Sequence, residues 1–345
     1  MTNSIQLKNN WKLYGFYPET YDIQDLCRED YVCDSWYSAE VPGDVHSTLI
    51  RHGIIPDPAY SYNVVRCGWV EKRIWIYRTL FDVPKELLEK EHHEILFEGL
   101  DTYATVYLNG VKIGNFQNMF VEHTANVGGL LKERGNVLVV EFNILQNMAS
   151  HKLPQGFWIN YSTERAYARK ASYSFGWDWT PRIATIGIWR PVYLRAWSGN
   201  RIESVHIDTE SIDKTNNTAR LKIKVSLTNE NSGLSFHLTL RDRNGVVQKF
   251  ESDTSSFSVE LQNAQLWWTH DLGNPHLYDL TLSVMEWGKV IDSWHCNYGV
   301  RTIEIIRNGD DGTGRFLFVL NGVPVFCRGA NWVPVSSLPG DFKES

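Results

Sequence analysis

Apolar and polar positions alternate in short runs along the first part of the chain, and turn residues separate the runs. Residues 73–81 alternate as a half-buried strand does. Residues 102–108 and 111–114 form two further runs around Asn109-Gly110, a pair that favours a type I′ turn and so predicts a hairpin. Residues 136–143 predict another strand. The pattern predicts an all-β fold, with an antiparallel jelly-roll sandwich over residues 1–197.

One short helix is predicted within this region, between Asp44 and Gly53. An aspartate accepts hydrogen bonds from the free N–H groups of a first helical turn, and a glycine commonly follows the last turn. The sequence therefore predicts a helix capped by Asp44 and ended by Gly53.

A second set of strands begins after a change of composition near residues 198–200. Residues 219–227 alternate cleanly, and residues 234–240 follow a polar turn, so that the two runs predict a strand pair. Two later runs, at residues 277–285 and 290–298, complete a set of about seven strands in about one hundred residues. That size and strand number predict an immunoglobulin-like β-sandwich over residues 198–300.

The C-terminal region, residues 301–345, has a hairpin pattern around Asn321-Gly322. So short a segment cannot enclose a hydrophobic core of its own. We therefore interpret it as the beginning of a further domain. The sequence predicts that its apolar side chains lack a cover within this chain; they are Phe316, Phe318, Val325, Phe326 and Trp332.

Composition narrows the classes of function. Of the 345 residues, 43% are hydrophobic and 21% are charged, which is typical of a globular protein with a sizeable core. The net charge of -6 and the lack of a basic cluster argue against nucleic acid as a partner. No apolar run reaches membrane-spanning length, so no membrane partner is expected. The 14 tryptophans favour β-structure and contact with carbohydrate.

The five cysteines are scattered at positions 27, 33, 67, 296 and 327. No pair has metal-ligand spacing, and an odd, dispersed set does not predict a disulfide framework. We expect neither a metal nor another cofactor. The N-terminus lacks the apolar core of a signal peptide, which indicates either a cytoplasmic location or a leader that has been removed. Reduced thiols fit the cytoplasmic location, which we predict.

The strongest candidate for chemistry is a cluster of aromatic residues around one carboxylate. Trp177, Asp178 and Trp179 are consecutive, and Trp189 follows closely. Indole faces pack on the apolar C–H faces of a sugar ring, and a neighbouring carboxylate can hold two sugar hydroxyls. The alternative is structural: the tryptophans pack in a sandwich core, and Asp178 forms an ion pair with Arg182.

Four separated segments of the chain stand out together. In order, they are residues 41–47 with 55–60, residues 98–110 with 118–120, residues 174–192, and residues 321–334. Together they resemble the β-mannosidases of glycoside hydrolase family 2. The second and fourth segments recur across family 2, whereas the third segment and the Ile-Pro-Asp-Pro of the first resemble the mannosidase branch more narrowly.

The resemblance implies three domains in order: a galactose-binding-like jelly roll, an immunoglobulin-like sandwich and a catalytic TIM barrel. A barrel needs about 250 residues, so residues 301–345 would hold only its lead-in and first strand. Retaining glycosidases use two carboxylates, a nucleophile and an acid/base. The resemblance places both glutamates beyond Ser345, so no catalytic residue is expected within these 345 residues. The implied reaction is hydrolysis of terminal, non-reducing β-D-mannose residues with retention.

The resemblance also implies substrate-binding residues in this chain. Asp178 would hold hydroxyls of the terminal mannose, with Trp177 forming part of the wall of the site. Arg328, Asn331 and Trp332 end the predicted first barrel strand, where barrel active sites lie. Their structural alternatives are an ion pair for Arg328 and packing beneath the barrel for Trp332. The chain departs from the family pattern at Thr180, where relatives often have glycine.

The expected partners are a β-mannoside oligosaccharide and the TIM barrel of the same protein. Whether the protein forms an oligomer is left open. Two alternative functions remain. One is another family 2 specificity, such as a β-galactosidase or an exo-glucosaminidase, which the barrel would distinguish. The other is a stand-alone carbohydrate-binding protein, because jelly rolls of this kind also serve as sugar-binding modules.

Overall fold

The structure is a computed structural model that describes residues 3–149, 154–159, 162–229, 233–308 and 314–341. Within these ranges the chain forms two compact units. The first unit comprises residues 3–197 together with the segment that begins at Val333, and the second comprises residues 198–332. Strands dominate the regular structure of both units, as the hydrophobic pattern predicts.

The first unit is a sandwich of two antiparallel sheets. Its strands are β1 (Asn3–Gln6), β2 (Lys12–Phe16), β3 (Tyr37–Ser38), β4 (Ile74–Phe81), β5 (His92–Phe97), β6 (Ala104–Leu108), β7 (Val111–Phe116), β8 (His123–Asn126), β9 (Asn136–Phe142) and β10 (Val192–Trp197). One sheet has the order β1-β10-β5-β8, and the other has the order β3-β2-β4-β9-β6-β7. The predicted hairpin is β6–β7, in which Asn109 and Gly110 have φ angles of 50° and 84°.

In the described part of the first unit, six short helices lie in the loops. They are α1 (Ile23–Leu26), α2 (Val45–Arg51), α3 (Asn63–Cys67), α4 (Lys85–Leu88), α5 (Leu145–Ala149) and α6 (Glu164–Tyr167). Helix α2 confirms the predicted helix: the Asp44 carboxylate accepts the Ser47 N–H at 2.8 Å, and Gly53 follows with a φ of +68°. Residues 172–175 and 339–341 form single 3-10 turns.

The six-stranded sheet is covered on both faces. Its inner face meets the other sheet through side chains such as Leu13, Tyr77 and Val140. Its outer face, with Ile76 and Val139, is covered by α1 and the chain that follows it. Strands β4 and β9 are therefore buried almost along their whole length, rather than on alternate residues as a half-buried strand would be.

The second unit contains a sandwich of seven strands. They are β11 (Ile202–Asp213), β12 (Thr218–Leu227), β13 (Leu234–Arg241), β14 (Val247–Ser252), β15 (Ser256–Gln262), β16 (Tyr278–Glu286) and β17 (Lys289–Tyr298). The sheets have the orders β11-β12-β15 and β14-β13-β16-β17, and they enclose one apolar core. The predicted all-β fold, a jelly roll followed by an immunoglobulin-like sandwich, is confirmed.

A three-stranded meander follows the second sandwich. It consists of β18 (Ile303–Asn308), β19 (Gly314–Leu320) and β20 (Val323–Val325). Asn321 is buried at its turn, where its side chain accepts the Thr302 N–H and donates to the Trp267 carbonyl. Phe316, Phe326 and Trp332 are exposed by 69%, 80% and 86%, as the sequence predicts for apolar residues without a cover. Phe318 and Val325, for which the sequence predicts the same, are half-buried within this chain. No closed barrel lies within the described ranges.

Candidate functional site

Trp177, Asp178 and Trp179 of the aromatic cluster lie on a loop of the first unit, residues 170–187, which we call the aromatic loop, and Trp189 follows this loop. The loop closes at its base where Gly187 and Asp101 exchange backbone hydrogen bonds of 2.9 Å in both directions. Gly187 has a φ of +157°, and a Cβ there would lie 2.8 Å from both the Asp44 Cα and the Gly43 carbonyl oxygen. Only glycine fits this close approach of two backbones.

A buried ion pair fixes the two ends of the aromatic loop to each other. The Lys170 ammonium donates to both carboxylate oxygens of Asp101 and to the carbonyl of Thr185, the last at 2.8 Å. The Thr185 hydroxyl donates to the same carboxylate at 2.7 Å. Burial lowers the pKa of Lys170, and the Asp101 carboxylate opposes that shift. The pair is structural: it holds residues 170 and 185 together beneath the loop.

The tip of the aromatic loop is a tight turn. The Trp177 N–H donates to the Thr180 carbonyl at 2.9 Å, and the Thr180 N–H donates back to the Trp177 carbonyl at 3.3 Å. Asp178 and Trp179 are the two residues between these hydrogen bonds. Trp177 and Trp179 are 44% and 36% exposed, and Asp178 is also exposed. The alternative that these two indoles are core residues is therefore wrong.

The alternative ion pair of Asp178 with Arg182 is also wrong. The Arg182 guanidinium donates through Nε and Nη2 to the Glu71 carboxylate, the closer contact being 2.7 Å, and through Nη1 to the Ser162 hydroxyl at 3.0 Å. Over the described part of the chain, the Asp178 carboxylate has no hydrogen bond or ion pair. Among the described residues, no group therefore uses the hydrogen-bonding capacity of the Asp178 carboxylate at the tip of the turn.

Neighbouring side chains hold the two exposed indoles. The Arg165 guanidinium lies over the Trp177 ring, 4.7 Å from its centroid, and the Tyr173 ring lies 5.5 Å from the Trp179 ring. Trp189 has a different role, since its indole N–H donates to the Met119 carbonyl at 3.0 Å. Sequence reasoning missed Arg165, which lies 12 positions before Trp177, and Tyr173, which lies six positions before Trp179; such positions in a loop carry no periodic signal.

The C-terminal segment 333–341 contacts the aromatic loop. The hydroxyls of Thr180 and Ser337 lie 2.7 Å apart, and the Gly340 N–H donates to the Asp44 carboxylate at 2.7 Å. Thr180, which departs from the family pattern, is buried and uses its hydroxyl in this contact. Sequence reasoning also missed Ser337.

Arg328, Asn331 and Trp332 follow β20 in the second unit, and all three are exposed. Arg328 forms no ion pair with any residue that the structure describes. Asp178 and Trp177 belong to the first unit. Membership of the five residues in one binding site stays a prediction.

The described residues form no site of two other kinds. No group of three His, Cys, Asp or Glu side chains among them could hold a metal ion. Their helices are short, and none has the length and apolar character of a membrane span. All five cysteines are free. The cytoplasmic location and the oligomeric state stay predictions.

His46 on α2 gives a prediction about pH. Burial lowers the pKa of this histidine to about 4, and its Nδ1 has no hydrogen-bond partner among the described residues. The unfolded chain binds a proton here near pH 6.5, but the folded chain does not. Stability is therefore complete above pH 6.5 and falls as the pH drops toward 4, by about 2 kcal/mol at pH 5.

Urea denaturation of the first unit at pH 7.5 and pH 5 measures this effect, with His46→Gln as the comparison. We expect a smaller loss of stability at pH 5 in the variant, which carries no titrating group at this position. An unchanged pH dependence in His46→Gln, together with an NMR titration of His46 near pH 6.5, would contradict the assignment.

Comparison with known proteins identifies both units. A family model described as the glycosyl hydrolase 2 galactose-binding domain-like matches residues 21–190, and one described as glycosyl hydrolases family 2 matches residues 200–301. Similar curated proteins are β-mannosidase B of Thermothelomyces thermophilus, 32% identical over 87% of this chain, and β-mannosidase B of Aspergillus terreus, 30% identical over 90%. The chain spans 36% and 38% of the lengths of these two relatives.

Two solved structures are also similar. The crystal structure of the β-D-mannosidase from Dictyoglomus thermophilum matches 99% of this chain with a TM-score of 0.86 and 31% identity, over 41% of its own length. The β-glucuronidase of Ruminococcus gnavus matches 95% with a TM-score of 0.66 and 21% identity, over 48% of its length. The second likeness shows a shared fold alone.

Proposed function

The chain belongs to glycoside hydrolase family 2, and we propose that it forms the substrate-positioning part of a retaining β-mannosidase. The proposed substrate is a terminal, non-reducing β-D-mannose residue of an oligosaccharide. The observation that carries the proposal is the turn at Asp178: an exposed carboxylate with no protein partner in the described ranges, flanked by two exposed indoles. The β-mannosidase relatives support the choice of sugar.

The proposed role of this turn is to bind and orient the sugar. The Asp178 carboxylate accepts hydrogen bonds from two hydroxyls of the mannose, while Trp177 packs on the apolar face of the ring. Bond cleavage needs two further carboxylates about 5–5.5 Å apart, one as nucleophile and one as acid/base. We place both on the part of a TIM barrel that lies outside residues 1–345, while Arg328, Asn331 and Trp332 contribute from the first strand of that barrel.

Orientation of this kind accelerates the reaction without any bond to a reacting atom. A sugar held in the reactive geometry loses less freedom on reaching the transition state, and interactions that strengthen there raise kcat. The buried Lys170–Asp101 pair and the Glu71–Arg182 pair hold the base and one side of the aromatic loop in place. The site is thus supported by rigid structure rather than left on a free loop.

The proposal predicts that residues 1–345 help to bind the sugar but do not cleave it, and that the barrel supplies the catalytic carboxylates. Residues 1–345 alone should release no more product from an aryl β-mannoside than buffer does, since both catalytic carboxylates lie elsewhere. The protein that also carries the barrel should hydrolyse the aryl β-mannoside in preference to the matching β-galactoside, β-glucuronide and β-glucosaminide. Release of the aryl group under initial-rate conditions measures both expectations.

Two results would count against the proposal. Turnover by residues 1–345 that disappears on substitution of one of these residues would place the chemistry in this chain. A preference for another aryl glycoside would keep the family and replace the substrate.

A further inference from the structure

We infer that the hydrogen bond between Thr180 and Ser337 is a positioning contact, through which the C-terminal segment 333–341 sets the direction of the Asp178 carboxylate. The inference rests on the proposed function, because it concerns how that site is held. Neither residue is expected to touch the sugar. Both act through the turn that carries Asp178.

The first step of the argument is the coupling between Thr180 and Asp178. Thr180 is 6% exposed, and its backbone is joined to Trp177 by two hydrogen bonds across the turn. Asp178 lies between these two residues. A shift of Thr180 therefore moves residues 177–180 together and changes the direction of the Asp178 carboxylate.

The second step is that the hydroxyl of Thr180 is held from outside the aromatic loop. Its Oγ1 lies 2.7 Å from the Ser337 Oγ and 3.2 Å from the Pro181 carbonyl. The Pro181 contact is local and moves with the turn. The contact with Ser337 links the turn to a segment 157 positions away in the sequence.

The third step is that the C-terminal segment is itself anchored at a second point. Leu338 is buried, and the Gly340 N–H donates to the Asp44 carboxylate that caps α2. A Cβ at position 340 would lie 2.5 Å from an oxygen of that carboxylate, so a larger residue there would displace the carboxylate. Asp44 is 1% exposed and also accepts the hydroxyl of Ser47 at 2.7 Å. Ser337 therefore presents its hydroxyl from a fixed support.

Together these contacts connect the N-terminal cap of α2, through residues 340 and 337, to the turn at Asp178. Loss of the Thr180–Ser337 hydrogen bond would leave the turn, and with it the sugar-binding carboxylate, without support from the C-terminal segment. Because a small displacement of a positioning group costs reaction rate more than it costs folding, the effect should fall mainly on kcat.

The experiment compares four variants in the protein that carries the barrel. Thr180→Val and Ser337→Ala each remove one hydroxyl and should lower kcat for an aryl β-mannoside about two- to tenfold, the range of one net hydrogen bond, with KM little changed. Thr180→Ser keeps the hydroxyl and should retain most of the rate. The double variant Thr180→Val/Ser337→Ala should be no slower than the slower single variant, since both remove the same bond.

Thr79→Val is the matched control. Thr79 is 2% exposed on β4, and its hydroxyl donates to the Asn9 carbonyl at 3.0 Å, so the substitution removes a buried threonine hydroxyl outside the aromatic loop. It should leave kcat unchanged. Equal losses of rate in Thr79→Val and Thr180→Val would show a general effect of stability and overturn the inference.

Hydrogen exchange on residues 1–345 separates this inference from the proposed function. The amides of Trp177 and Thr180 should exchange about two- to tenfold faster in Thr180→Val and Ser337→Ala than in Thr180→Ser or Thr79→Val. Unchanged exchange in both variants would overturn the inference whatever the enzyme does. Faster exchange with an unchanged kcat would overturn it as well. Absence of β-mannosidase activity would refute the proposed function, while exchange would still decide whether Ser337 holds the turn.

Discussion

We expect Asp178→Asn, in the protein that carries the barrel, to lower kcat/KM for an aryl β-mannoside by about one to three orders of magnitude and to leave the melting temperature nearly unchanged. A carboxylate that accepts two sugar hydroxyls makes charge-assisted hydrogen bonds of roughly 1.5–3 kcal/mol each. The amide keeps the shape and loses acceptor capacity, and about 1.4 kcal/mol corresponds to one decade in rate. Since Arg182 is engaged by Glu71, the substitution breaks no ion pair within the fold.

Steady-state kinetics and thermal unfolding of the same variant, in the protein that carries the barrel, measure both expectations. Asp253→Asn is a matched control, since it makes the same change at an exposed position of the second unit. The control should keep its kcat/KM. A normal kcat/KM in Asp178→Asn would remove Asp178 from the site, and a lowered melting temperature with normal kinetics would assign it a structural role.

We expect Lys170→Met to destabilise the first unit by about 3–5 kcal/mol, the cost of breaking a buried ion pair from one side. The side chains of Lys170 and Asp101 are 0% and 1% exposed, so the substitution leaves the Asp101 carboxylate buried without its counter-ion. Methionine has similar volume, so the loss reports charge and hydrogen bonding rather than a cavity. Urea denaturation of residues 1–345, followed by a probe of the first unit, measures the change.

Lys85→Met is the matched control for this prediction. Lys85 lies 3.9 Å from Glu133 with both side chains well exposed, and exposed pairs contribute about 0–1 kcal/mol. The double variant Lys170→Met/Asp101→Asn should lose less stability than the sum of its single variants, because each single change leaves an uncompensated partner. A loss below about 1 kcal/mol in Lys170→Met would show that the pair does not hold the loop.

The sequence predicts well those parts of the fold that depend on residues close to one another along the chain. Asp44 caps a helix three residues before Ser47, and Asn109-Gly110 turns a hairpin within its own two positions. Alternation within a run likewise predicts strands from neighbouring residues. The two-sided burial of β4 and β9 was not predictable in this way, because the cover of the outer face comes from residues that precede β4 by dozens of positions.

In the candidate site, too, features set by neighbouring residues are predictable from the sequence, and contacts between distant residues are not. The sequence identifies Asp178 and its indoles because they are adjacent and chemically unusual. It does not show that Arg182 pairs with Glu71, 111 positions away, or that Thr180 meets Ser337. Such partners are chosen by the packed fold, and no spacing rule connects them. Thus the residues proposed to contact a ligand were predictable from the sequence, and the residues that support the loop carrying them were not.

The path of the chain through the two units has a consequence for biosynthesis. The second unit is inserted into the first, since the chain leaves the first at Trp197 and returns to it at Val333. Synthesis proceeds from the N-terminus, and domains generally fold as they emerge from the ribosome. The jelly roll can therefore form both sheets as soon as β10 has emerged, whereas Ser337 and Gly340 follow only after the whole inserted sandwich. While more than a hundred further residues are synthesised, the nascent jelly roll therefore lacks the contacts of Ser337 with Thr180 and of Gly340 with Asp44. The turn at Asp178 gains these contacts only after the second unit has been synthesised.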